Sequence, residues 1–167
     1  NWWQWVFCSA SAVLHVIRSN RSVDVIQDVM ATHQAEVWVS DCYSAQMKAP
    51  SEQRQLCLAH QLRNLQAVVD LYPASFWPRA MQALFRSAVH VHNQRDHLSP
   101  PEFQAQVQRV EQIRDWLLKR SLEQKEAKRL LKRYTKYRDC LFVFLHRTDV
   151  SPTNNVSERH LRPAVVH

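Results

Sequence analysis

An α/β fold carrying an all-helical insertion is what the sequence predicts. Three observations predict it. Residues 1–72 alternate short aromatic or β-branched runs with segments of helical period. Residues 73–150 lose the strand signal and keep the helical period. Residues 151–167 then present a helix start with a single acid, Glu158, among basic neighbours, as though the α/β part resumes. The expected organisation is an α/β core over 1–72, a helical insertion over 73–150, and a C-terminal core helix within 151–167.

The elements follow in order. Trp2–Cys8 is aromatic and β-branched, which suits a strand, and Val13–Ile17 is a second. The short Ser9–Ala12 connection makes the pair a hairpin. Ser19–Ser22 offers caps for a helix over 22–32, with Val23, Ile26, Val29 and Met30 on one face. Glu36–Ser40 is a third strand, ending at Asp41; its nearly continuous apolar character suits a buried position. Arg54–Leu58 reads as a short fourth strand, and His60–Leu71 as a helix with Leu62, Leu65, Val68 and Val69 inward. Beyond Pro73, Phe76–His92 is helical. Ser99-Pro100-Pro101-Glu102 is a strong start for the next helix. A last insertion helix is expected over 122–146, with Leu130, Tyr134, Tyr137 and Leu141 on one face.

The composition narrows the function. A chain of 167 residues can bury a core. A net charge of +7 favours an anionic partner, nucleic acid first. No run approaches the roughly 20 apolar residues of a membrane helix, so no membrane partner is expected. The N-terminus, Asn1-Trp2-Trp3-Gln4-Trp5, reads like the middle of a strand rather than a leader, as if cut from a longer chain. The four cysteines are widely spaced, which points to reduced thiols; Cys57-x-x-His60 alone falls short of a zinc site. Glycine is absent, so turns needing positive φ are expected on Asn20, Asn64 or Asn93.

Two carboxylates stand out. Asp41 sits where a strand stops, and carboxylates at strand ends point into the usual ligand crevice of open α/β sheets; it can equally cap a turn. Glu158 lies at a helix start flanked by Arg159, His160 and Arg162. It can close a capping box on Asn155, or hold a metal ion beside a phosphate backbone. Between these acids, Lys119–Arg138 carries nine Lys or Arg residues against Glu123 and Glu126. Within it Lys128, Arg129, Lys132, Arg133 and Lys136 are candidate phosphate contacts, sequence-independent and salt-sensitive. A solvated charged face is the plainer reading of the same run.

Three stretches together resemble the catalytic domain of insertion sequence 66 family transposases: Val39-Ser40-Asp41-Cys42-Tyr43-Ser44-Ala45, Arg54-Gln55-Leu56-Cys57-Leu58-Ala59-His60-Gln61-Leu62-Arg63, and Pro152-Thr153-Asn154-Asn155-Val156-Ser157-Glu158-Arg159-His160-Leu161-Arg162-Pro163-Ala164. They occur in the family's order, and the last is quite specific. The resemblance implies an RNase H-like mixed sheet that here lacks its first strand, leaving a gap or a rearranged pairing. It implies a DDE triad in which Asp41 is the second acid and Glu158 the third, the first lying before Asn1. It implies two Mg²⁺ or Mn²⁺ ions in the complete protein, with DNA, both transposon ends and target, as partner. Homo-oligomers, accessory proteins of the same element and a bacterial cytoplasmic, nucleoid-associated location are further expectations of that kind. The parent would cleave transposon ends and join the 3′-hydroxyl to target DNA, whereas these residues alone would not. Asn154 and Asn155 would organise the Glu158 helix, Arg159 and Arg162 would touch phosphate, and His60 would support a strand–helix junction. Two competing readings are an RNase H-like nuclease without strand transfer and an inactive relic or DNA-binding module.

Overall fold

β1 (Trp3–Cys8) and β2 (Val13–Arg18) form the expected antiparallel hairpin, in register from Trp3 opposite Arg18 to Cys8 opposite Val13. The computed structural model describes the backbone of residues 1–165 and the side chains of residues 1–160. The hairpin loop closes without glycine: the Ser9 N–H donates to the Ala12 carbonyl at 2.9 Å, and the Ser9 hydroxyl accepts from the Ala12 N–H at 3.0 Å. Trp5 and Phe7 share one face of β1 because successive side chains alternate, and their rings stack at 6.2 Å. That face covers Val25 and Ile26 of α1 (Val23–Met30), with Ala45 and Ala49 in the same cluster. Val25 therefore joins Ile26 as the buried pair, while Val23, Val29 and Met30 are only half-buried.

α1 ends in a tight turn. The His33 N–H donates to the Met30 carbonyl at 2.7 Å, across Ala31 at φ 49° and ψ −114°. These angles belong to the first central position of a type II′ turn, which ordinarily takes glycine. The positive φ expected on asparagine thus falls on Ala31, the one such non-glycine residue among those described. The reason is placement: the turn must come directly after α1, where no Asn stands.

β3 (Ala35–Ser40) pairs in parallel with β4 (Ser51–Leu56), from Ala35 opposite Ser51 to Ser40 opposite Leu56. The crossover, Asp41 to Pro50, is held on β4 by Arg54, whose guanidinium donates to the carbonyls of Gln46 and Ala49. β4 starts earlier than expected and stops at Leu56, because Leu58 already opens a helix. Two corrections concern the sheet. β3 is not fully buried, since Val37, Trp38 and Val39 are half-exposed. The four strands make two separate two-stranded sheets, so each strand keeps one edge outside any ladder. No ladder hydrogen bonds join the hairpin to the parallel pair among the described residues. Phe7 of β1 meets Trp38 of β3 edge-on at 6.0 Å.

α2 (Leu58–Leu71), α3 (Phe76–Asn93), α4 (Pro100–Leu118), α5 (Lys125–Lys136) and α6 (Val143–His146) follow. They form one compact unit over Leu58–Pro152, while residues up to Cys57 and those from Thr153 onward form another. In the helical unit α3 packs against both α2 and α4. Its core holds an aromatic chain, Tyr134 to Phe85 at 5.5 Å and Phe85 to Phe142 at 6.0 Å. Ser99 starts α4 as expected, giving its N–H and its hydroxyl to the Glu102 carboxylate at 2.9 and 2.5 Å.

The single helix expected over 122–146 is broken after Lys136. Leu141, Phe142, Val143, Phe144 and Leu145 are all buried. A surface helix buries one stripe, not five consecutive residues, so the chain leaves α5 and buries them across a turn and the short α6. Arg138 pins the break by a two-pronged ion pair, Nε to Asp115 Oδ1 at 2.8 Å and Nη2 to Oδ2 at 2.7 Å. No helix among the described residues is long and apolar enough to cross a membrane.

Candidate functional site

Asp41 directly follows β3, at the C-terminal end of the parallel pair. Its Oδ1 accepts the Tyr43 N–H at 2.9 Å, an Asx turn that aims the chain into the crossover. The Ser40 hydroxyl donates to the Asp41 carbonyl at 2.9 Å, fixing the peptide from the other side. The turn-capping reading of Asp41 is therefore correct for one carboxylate oxygen. It leaves the half-buried side chain held at a strand end, where an α/β sheet presents its ligands.

The same corner holds a cation that sequence reasoning missed. The Arg21 guanidinium lies 4.7 Å over the Trp3 ring and 4.7 Å over the Tyr43 ring. The Tyr43 hydroxyl donates to the Arg21 carbonyl at 2.9 Å. No local signal marks this sandwich, because its members lie far apart in sequence.

Glu158 is tied to this corner by a continuous chain of hydrogen bonds. The Cys57 N–H donates to the Ser40 carbonyl at 2.7 Å, extending the parallel ladder one step past β4. The fully buried Cys57 Sγ accepts the Asn154 N–H at 3.4 Å. The Glu158 N–H donates to the Asn154 carbonyl at 3.2 Å, the opening bond of α7 (Asn155–Val165). The peptide carrying Asp41 and the first turn carrying Glu158 are thus mechanically coupled through Cys57. α7 also packs against β1.

α7 begins at Asn155, so Asn155 is the first helical residue and Asn154 holds the cap position. Glu158 falls one place beyond where a capping-box carboxylate stands relative to that cap. In the first turn it also faces the positive end of the helix dipole. Asn154 meets Cys57 and Glu158 through its backbone, its buried side-chain oxygen having no hydrogen-bond partner, while Asn155 is exposed. Cys57, which the sequence offers only as part of an incomplete zinc spacing, is the bridging residue.

The remaining candidates divide. On α5, Lys128, Arg129, Lys132 and Lys136 are exposed, and Lys125 extends the same stripe. It runs about 16 Å at 1.5 Å per residue. Arg133 does not belong to it: half-buried, it points Nη1 to Gln61 Oε1 at 3.5 Å. The Tyr72 hydroxyl donates to Glu126 at 2.6 Å and holds that carboxyl below its ordinary range. His60 lies in the first turn of α2, within the helical unit, half-buried and engaged. Arg159 is exposed on α7; the side chain of Arg162 lies outside the described residues.

Asp41 and Glu158 are hard oxygen donors, the type that Mg²⁺ or Mn²⁺ takes. Among the described residues no group of three or more His, Cys, Asp or Glu side chains is placed to hold a metal ion. Two carboxylates do not by themselves make a two-metal centre.

The sequence matches the family described as "Transposase IS66 family" over residues 1–167. No curated protein and no solved structure matches it.

Proposed function

Because the chain belongs to the IS66 transposase family, we propose that it forms part of a catalytic core acting on DNA, with Asp41 and Glu158 as two acids of its triad. The observation that carries the reading is the coupled path from Ser40 through Cys57 and Asn154 to Glu158. The path joins backbone groups and the Cys57 sulfur, and so ties together the two segments that carry the carboxylates. The antiparallel hairpin, the parallel pair and the break between them support an RNase H-like sheet whose central strand is supplied from elsewhere.

The proposed chemistry is two in-line phosphoryl transfers. Water attacks the phosphodiester at the transposon end, releasing a 3′-hydroxyl and a 5′-phosphate. That 3′-hydroxyl then attacks a target phosphodiester, exchanging one P–O bond for another. Divalent ions would supply charge neutralisation in such a centre. Asp41 and Glu158 would supply two of the carboxylates that hold such ions. The chain's own contribution is placement: the Asx turn fixes Asp41, and the Cys57–Asn154 link fixes the start of α7. The α5 stripe would hold duplex phosphates without reading sequence.

The test uses the full reading frame that carries this chain. Asp41→Asn and Glu158→Gln abolish cleavage of transposon-end DNA and leave DNA binding within a few-fold of the parent. Retained cleavage in either variant overturns the assignment. Failure to join pre-cleaved ends, with hydrolysis intact, would show a nuclease instead.

A further inference from the structure

We infer that the exposed corner formed by Phe76, Trp116 and Arg120 on the helical unit is a stacking platform for unpaired DNA bases. The inference rests on the DNA-acting reading above and names a substrate feature that reading does not supply.

Adjoining exposed aromatic side chains, unlike single ones, mark interaction surfaces. Phe76 is 63% exposed and Trp116 50% exposed, and their rings meet edge to face at 6.4 Å. The Arg120 guanidinium lies 4.7 Å over the Trp116 ring. The corner is rigid, because the residue after Phe76 and the residue after Trp116 are bonded to each other. Trp77, 2% exposed, donates its indole N–H to the Leu117 carbonyl at 3.1 Å. The rings are therefore presented by fixed backbone, without the ordering cost of a mobile loop.

Charge decides the occupant. Arg109, Ile113 and Trp116 recur at four- and three-residue steps as one exposed stripe of α4, and the exposed Arg120 follows two residues past the helix end. The acids of that helix are engaged elsewhere. Asp115 binds Arg114 and Arg138 at 2.9 and 2.7 Å, and Glu111 binds His146 at 3.1 Å. α3 contains no Asp or Glu, and Arg79 is exposed one turn after Phe76. The rings thus sit in a border of cations with no acid in the stripe. Aromatic faces with flanking cations are how single-stranded nucleic acid is held, the rings taking bases and the cations taking phosphates. Duplex DNA hides its base faces and would engage only the cations. Strand ends produced by cleavage expose bases that unstack at small cost.

The experiment measures binding of this chain to a fluorescent single-stranded 12-mer and to a 12-base-pair duplex, across a salt series. Trp116→Ala weakens single-strand binding about 10- to 100-fold, leaves duplex binding within about twofold, and does not change the salt slope. Phe76→Ala acts in the same direction, and Trp116→Phe restores most of the loss. Circular dichroism melts confirm that the variants fold. Unchanged single-strand binding in both alanine variants, with duplex binding present, overturns the platform and leaves the DNA reading standing. Absence of binding to either DNA in the parent chain overturns both. Loss of self-association in Trp116→Ala, with single-strand binding unchanged, assigns the corner to a protein interface and overturns the proposal.

Discussion

Replacing Cys57 by alanine should loosen the start of α7 while leaving the parallel ladder intact. The two hydrogen bonds of this residue separate cleanly. Its backbone N–H to the Ser40 carbonyl at 2.7 Å survives the substitution. Its Sγ, acceptor for the Asn154 N–H at 3.4 Å, does not. Leaving a buried N–H without its partner costs roughly 1–3 kcal/mol, and thiol sulfur is a weak acceptor, so the lower part of that range applies. About 1–2 kcal/mol corresponds to roughly 5- to 30-fold faster amide exchange if Asn154 opens locally. Hydrogen exchange read by NMR measures this directly, with the Cys57 amide as internal control. Cys57→Ser keeps an acceptor and should bring Asn154 back to within a few-fold of the parent. Equal acceleration in both variants would mean that Cys57 matters by volume. Unchanged Asn154 exchange in Cys57→Ala would refute the coupling of Asp41's strand end to Glu158's helix.

Ala31→Gly should stabilise the strand unit, because alanine at φ 49° occupies a type II′ position. The left-handed penalty of about 1–2 kcal/mol exceeds glycine's extra unfolded freedom of about 0.5–1 kcal/mol. A rise of about 0.5–1 kcal/mol in urea unfolding is expected; a fall would show the turn is not strained. Acid should destabilise the helical unit in two windows. Burial first, and then Arg95, lowers the pKa of His92, so the folded state resists a proton that the unfolded chain accepts. That contribution is complete above about pH 6.5 and is lost as the pH falls through the lowered folded value. The Arg138 hydrogen bond holds the Asp115 carboxyl far below its usual range, so its contribution is lost only at stronger acid. His92→Phe should flatten the dependence of the urea midpoint between pH 7 and 5; an equal slope in parent and variant would exclude His92.

Much of this protein is legible from its sequence because the signals are local. Aromatic and β-branched runs mark β1 and β2, helical period marks α1 to α4, and Ser99 with Glu102 marks a cap. Asp41 at a strand end, Glu158 at a helix start and the α5 stripe follow from position and charge alone. The same sequence leaves the partners of those residues open. Arg133 looks like its basic neighbours until Gln61 draws it inward. The run from Leu141 to Leu145 looks helical until its five side chains must all be buried. Cys57 looks like part of an incomplete zinc spacing until the fold brings Asn154 to its sulfur, 97 residues later in the chain. Periodicity records which face a residue takes within its own element. Only the tertiary structure decides what meets it there, because such contacts join distant segments whose pairing no local pattern encodes.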